Sequence, residues 1–493
     1  MDMPVSKSKF LTDTFKILIG PCSFVQNPDS QAPFSQPEKT EKLSVMSEKA
    51  SHTFMDVEKH PIDTSSSAST SSQNDPALKK TWRKIDMYIL PVAAMFYLLS
   101  FLVTIDRTNL GNARIAGLQK ELKMTNHQYS IALTVTYVPY IAAELPSNLL
   151  LKAACSPGSF STSRPGILAR SFNGVSGFFS AASISGAFSG LLAYGIIRMD
   201  GVGHRPGWAW IFILEGLFTF VFGLCSFTLL PRSPAHARFL NKKEKEYVAA
   251  QLKESGATSG DDGDDKFSWR EVGQAFTLPQ VWMLAIIAFC GGALLFGLAY
   301  FTPSIVQGLG YTAARAQLFS VPPFAVAFFV SMICAFFSDR YACRGLVTIF
   351  CAVLCLIGFS MFLASHDIHI KYASLFFSIS GAYAAAPSLS SWSANNTAPH
   401  TRRATAIAIT FIMTNSGGIL VTWLLGVLSP APLYRKATIT LLAFSALIIV
   451  TSVLNIWYLA VQNRKKAEVR ATITRADEEP GLGDRSAWFV YSL

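Results

Sequence analysis

The stretch MYILPVAAMFYLLSFLVTI, residues 87–105, runs for 19 residues without a charge and ends in Asp106-Arg107-Thr108-Asn109-Leu110-Gly111-Asn112-Ala113. A second apolar run, Gln128–Leu151, holds one charge, Glu144, within Ala143-Glu144-Leu145-Pro146-Ser147-Asn148. A membrane-spanning helix takes about 20 apolar residues, and both runs meet that length. An ionisable group inside such a run costs roughly 2.5–3.5 kcal/mol on the mildest scale, so it faces a cavity or a partner rather than lipid. Asp106-Arg107 has two readings: a site pair, or a loop pair at a helix end that snorkels to the interface. Glu144 stands well inside its run, where a loop reading is harder to hold.

Composition points the same way. The chain of 493 residues is 51% hydrophobic and 15% charged, against about 25% charged in a soluble domain. A net charge of +11 would suit nucleic acid only if the basic residues clustered on one surface. They sit instead in short loops between apolar runs, so no nucleic-acid partner is expected. The cysteines lie mostly within or beside apolar runs; Cys351 and Cys355 form a helical pair, but no histidine or second pair completes a metal set. They read as packing residues, and neither cofactor nor metal is implied.

Eight further apolar runs follow, 175–197, 208–230, 281–305, 316–338, 345–365, 372–393, 404–429 and 437–461, making ten. Glu215 is the one internal charge in those eight. The pattern predicts an all-α polytopic membrane protein. Residues 1–78, rich in Ser and Thr, read as a disordered tail. Residues 79–230 form a first helical half, 281–463 a second of six helices, and 231–280 a soluble loop between them with an amphipathic helix at Asn241–Glu254. Residues 464–493 read as a charged, disordered tail whose Trp488-Phe489-Val490-Tyr491 can touch the membrane or the bundle. With the N-terminus inside, inner segments carry 22 Lys and Arg and outer loops 10. That bias places both termini in the cytoplasm. Asn415-Ser416-Gly417-Gly418 interrupts the 404–429 run, and Pro322-Pro323 invites a kink.

The chain resembles the major facilitator superfamily, and within it the fungal anion:cation symporters for allantoate, nicotinate and pantothenate. The resemblance rests on Asp106–Ala113, on Tyr137–Lys152 with Glu144-Leu145-Pro146-Ser147-Asn148, and on Phe179–Gly190. It continues through Pro206–Gly216, Trp392–Ala404 with Asn395-Asn396-Thr397 and His400-Thr401-Arg402-Arg403, and the ending Leu482–Leu493. It implies a two-half helical bundle of twelve helices, of which about ten are counted here. After Lys152 the family expects a third and a fourth helix; Ala153–Gly177 stands there instead, turn-rich and too short to span twice. Arg170 matches the substrate-facing arginine of the fourth helix. Ala209 replaces the usual arginine between Trp208 and Trp210, and Asp339-Arg340 with Arg344 keeps part of the superfamily's second-half loop signature.

By this resemblance the protein moves a small organic anion by alternating access, coupled to protons, as a monomer in the bilayer of the plasma membrane rather than the vacuole. An anion needs fixed positive charge in low dielectric, which Arg107 and Arg170 supply, with Asn109, Asn396 and Asn415 as hydrogen-bond donors. Proton coupling needs a carboxylate raised by burial: Asp106, Glu144 or Glu215. Each has a plainer reading as a helix-linking group. Asp339, Arg340 and Arg344 read as a cytoplasmic gate latch or as ordinary positive-inside residues. Two rival functions stand beside transport: a nutrient sensor that binds without translocating, and a non-functional product of a faulty gene model. An enzyme is not expected, because His366-Asp367 lies in a loop and no catalytic set sits in the spans.

Overall fold

The chain divides into two units, Met1–Lys80 and Thr81–Leu493. The computed structural model describes residues 106–154, 174–229, 240–246, 269–429, 434–473 and 482–493, with single positions 84, 87, 88 and 478, all in the second unit. Of helix residues 106–109, 140, 144–154, 174–182, 226–229 and 400, only the backbone is described. The apolar run before Asp106 and the segment 155–173 that contains Arg170 lie outside these residues, as do the N-terminal tail and most of the central loop.

The described part is nearly all helix. The helices are α1 (Asp106–Ile115), α2 (Leu118–Glu121), α3 (Asn126–Ala154), α4 (Gly174–Ile196), α5 (Gly207–Leu229), α6 (Trp269–Thr277), α7 (Pro279–Gly308), α8 (Ala313–Tyr341), α9 (Arg344–Ala364), α10 (Ile368–Asn395), α11 (His400–Trp423) and α12 (Arg435–Arg470). Nine of the apolar runs fall on helices, and among the described residues six helices are long and apolar enough to cross a membrane. In hydrocarbon every backbone polar group must be satisfied internally, and a helix does this within one segment. Local chemistry sets the ends. Pro279 opens α7, where no donor is needed; Asp367 accepts the His369 N–H at 2.9 Å to cap α10; Ala342 turns the chain after α8 at φ 51°.

Two faces follow from this alternation. One carries the turn at Gly310 and the starts of α3, α5, α8, α10 and α12; the other carries the turn at Ala342 and the starts of α9 and α11. Helix α7 is buried along most of its length and packs on α1, α8, α10, α11 and α12. Helix α3 packs on α11, and α4 on α8, so each of these contacts joins the first half to the second.

Three expectations change. Helix α11 runs unbroken through Asn415-Ser416-Gly417-Gly418. The Asn415 amide and the Ser416 hydroxyl donate to the Phe411 and Ile412 carbonyls one turn back, at 2.9 and 2.8 Å, so neither competes with the helix. Gly417 sits against the Phe289 backbone, a spot where a side chain does not fit.

The stretch assigned to the central loop contains α6. The region assigned to a disordered tail is ordered in two ways: α12 continues to Arg470, and Leu482–Leu493 docks on the Ala342 face. Ser492 gives its N–H to Asn396 Oδ1 (2.8 Å), and its carbonyl accepts from Asn396 Nδ2 (2.9 Å) and Trp392 Nε1 (3.0 Å). Asn463 pairs with both backbone groups of Tyr491 at 2.9 Å. These carboxamides hold the tail as a neighbouring strand would. Arg402, 1% exposed, closes the arrangement: it pairs with fully buried Asp484, donates to Glu271 at 2.9 Å and bonds Gln274. One guanidinium thus ties the tail, α6 and α11 together.

Removing one member of a buried pair costs about 3–5 kcal/mol, because the other charge is left uncompensated. Asp484→Ala is expected to lower the melting temperature of the detergent-purified protein clearly; melting unchanged from the parent would show that Glu271 and Gln274 suffice for Arg402.

Candidate functional site

The seam between the halves is where an alternating transporter would bind its cargo. Four hydrogen bonds between described residues cross it. Gln317 Nε2 donates to the Asn112 carbonyl (3.3 Å), Ser130 Oγ to the Thr422 carbonyl (3.3 Å) and Trp423 Nε1 to Thr134 Oγ1 (3.0 Å). The fourth joins the Tyr137 and Tyr300 hydroxyls at 2.5 Å. Each lies between mid-helix and the Gly310 face.

Tyr137 and Tyr300 form the innermost layer. Tyr137 meets Phe296 edge-on at 5.6 Å between centroids, and Phe296 stacks on Tyr300 at 5.8 Å. Gly418 makes the approach possible: a Cβ there would lie 2.6 Å from the Tyr137 hydroxyl. Beside this cluster Phe324 meets Tyr383 edge-on at 5.4 Å. The result is a buried aromatic floor beneath the Gly310 side of the seam, its Tyr137 and Tyr300 hydroxyls paired with each other.

Above the floor, on the Gly310 side, Arg114 bridges the halves. It bonds Gln119 (2.8 Å) and Asn126 (2.9 Å), and its guanidinium lies 4.8 Å from the Tyr129 ring and 5.9 Å from the Phe301 ring. Burial pushes the Tyr434 phenol above its ordinary value, and the nearby Arg114 charge offsets part of that rise.

The residues expected from the sequence distribute differently. Arg170 lies outside the described residues. Asp106, Arg107 and Asn109 fall in the first turn of α1, and Glu144 in the second half of α3; their side chains are not among those described. Glu215 is buried on α5 and Asn415 on α11. The amide of Asn396 is used at both ends by Ser492. Arg344 lies 3.6 Å from Asp339, and Asn395, its oxygen turned to the guanidinium, accepts from both terminal nitrogens at 3.1 and 2.8 Å. Those contacts brace α8, α9 and α10 within one half; Arg340 is exposed. Sequence reading missed Tyr137, Tyr300, Arg114 and Asp484. Asp484 and Tyr137 stood within segments already singled out, Leu482–Leu493 and Tyr137–Lys152, but nothing in the local sequence marks Tyr137 as the partner of Tyr300.

Comparison with known proteins adds a family. A family model described as Major Facilitator Superfamily matches residues 158–422. An uncharacterized transporter of Schizosaccharomyces pombe, C1002.16c, is 29% identical over 516 aligned positions, covering 95% of this chain and 98% of its own. The high-affinity nicotinic acid transporter of Saccharomyces cerevisiae is 29% identical over 470 positions, covering 85% of this chain and 86% of its own. Each alignment exceeds the part of this chain it takes in by roughly fifty positions. Among solved structures, the proton:xylose symporter XylE bound to 6-bromo-6-deoxy-D-glucose superposes with a TM-score of 0.47, at 15% identity over 77% of this chain and 91% of its own.

The seam can be trapped. A Cβ built at Gly426 lies 3.7 Å from Ser130 Cβ, inside the range for a disulfide. With Ser130→Cys and Gly426→Cys, and a protease site inserted between residues 246 and 269, mild oxidation should keep the two fragments joined on a gel until reductant is added. Fragments that separate after oxidation would contradict the packing of α3 on the turn Leu424–Leu428 that continues α11.

Proposed function

Since the chain belongs to the major facilitator superfamily, a family of multi-pass membrane transporters, we propose that it carries a small organic anion by alternating access, driven by protons. The observation that carries this reading is the seam itself: among the described residues, hydrogen bonds between the halves run from mid-helix to the Gly310 face. A rocking-bundle carrier makes and breaks such contacts on each side of its site in turn. The excess of Lys and Arg in the alternate loops makes the Gly310 face the outer one, with both termini cytoplasmic. The state described is then closed to the outside.

The substrate class follows from two features. The aromatic floor of Tyr137, Phe296 and Tyr300 suits a planar ring, and the relative that carries nicotinic acid transports such a molecule. Charge recognition falls to Arg107, with Arg170 and Asn109, whose fork geometry suits a carboxylate. Asn415, whose amide also donates to the Phe411 carbonyl, is kept as the second-half candidate for substrate. Asn396, already engaged with Ser492, is left out of the substrate site in favour of anchoring the tail. Glu144, Asp106 or Glu215 would take the coupling proton: a carboxylate raised by burial is protonated on the acidic side and discharges on the other. Asp339 and Arg344 brace the second half. The protein works as a monomer in the plasma membrane.

A second reading keeps the site and drops translocation. Roughly fifty positions of the relatives have no counterpart here, and residues 155–173 leave too few for two spans of about 20 residues. A bundle lacking part of its first half would serve as a sensor, or not fold productively.

Uptake of radiolabelled nicotinate by cells expressing the chain tests the proposal. Uptake is expected to saturate and to rise as external pH falls. Arg107→Ala should abolish it at unchanged expression, and Glu144→Gln should flatten its pH dependence. Saturable binding without accumulation would favour the sensor; full uptake by Arg107→Ala would remove that arginine from the site.

A further inference from the structure

The seam contains a polar contact that is badly matched. Gln317 of α8 is fully buried and Asn112 of α1 is 2% exposed. Gln317 reaches across the halves, and the one hydrogen bond between the two residues is the 3.3 Å donation from Gln317 Nε2 to the Asn112 backbone carbonyl. That carbonyl already accepts the Ala116 N–H at 3.0 Å. Gln317 Oε1 and Asn112 Nδ2, an acceptor and a donor, are buried without a protein partner. Around them the packing is close: at Gly190 of α4 a Cβ would lie 2.8 Å from Ser320 Oγ and 3.1 Å from the Gln317 carbonyl.

A buried polar atom without a partner loses its hydration and gains nothing in return, whereas a solvated one is satisfied. Closing the Gly310 side therefore imposes this loss on Gln317 Oε1 and Asn112 Nδ2, and opening it relieves the loss by admitting water. We infer that the Asn112–Gln317 pair is a conformational bias element that keeps the Gly310 side from closing too firmly, so that the carrier returns to the open state. The inference rests on the alternating-access reading and names the pair that sets its balance. Neither residue is assigned to the substrate.

The sign is testable without a substrate. Ser130 is fully buried at the closed seam, so Ser130→Cys reports opening by its reaction with a hydrophilic maleimide in lipid nanodiscs, over the baseline of native cysteines. Gln317→Met keeps the volume and removes the unpaired oxygen. It loses only a donation to a carbonyl that has another partner. Labelling should slow at least about fivefold, the equilibrium equivalent of relieving one buried unpaired group. Gln317→Glu places a carboxylate in the closed seam and should speed labelling. Misfolding accelerates labelling, so slowing in Gln317→Met cannot arise from it. Labelling of Gln317→Met at or above the parent rate would overturn the inference while leaving the rocking motion intact. A cysteine that never labels in any variant would overturn both.

Discussion

Helices inside hydrocarbon gain nothing by hiding apolar surface from one another, since lipid tails are as apolar as leucine. What joins them is close contact where side chains are small, and a few polar pairs. This constraint organises the whole bundle. Helix α11 reaches α7 at Gly417 and α3 at Gly418, one residue apart on the same helix. The first contact builds the second half; the next joins it to the first. Among the described residues the second is made by an aromatic hydroxyl pair and three further side-chain bonds, none of which the first contact uses.

The Ala342 face is built on different terms. There a single buried guanidinium, Arg402, collects a carboxylate from the tail and two polar partners from α6, and asparagines at 396 and 463 fasten the tail backbone. Breaking these contacts leaves charges or amides stranded in the interior, so they favour a rigid second half. In the reading proposed above, the motion is rotation of one half against the other about the central site.

Much of the fold was legible because membrane spans announce themselves by length and by the absence of charge. Runs such as 281–305 and 345–365 became α7 and α9 with ends within a few residues. The failures share a cause. Asn415-Ser416-Gly417-Gly418 looked like an interruption because polar residues and glycines break soluble helices; in the bundle the first two bond their own backbone and Gly417 and Gly418 admit a neighbour. Helix α6 and the docked tail looked like loop and disorder because their order comes from partners far along the chain, Arg402 for one and Asn463 for the other. The site divides the same way. Charged residues in or beside apolar runs stand out by their cost, which is why Arg107 and Glu144 could be proposed from the sequence. The pairing of Tyr137 with Tyr300 could not, since an aromatic residue in a span is unremarkable until its partner is known.

The central claim is that the halves separate on the Gly310 side while each stays intact. Spin labels at Lys120 on α2 and Arg315 on α8, both exposed, measure that separation directly in lipid nanodiscs by dipolar spectroscopy. Two distances are expected, one matching the closed seam and one longer, with their proportions changing when nicotinate is added. A single distance, unmoved by nicotinate or by pH, would contradict the account and leave a static bundle in place of a carrier.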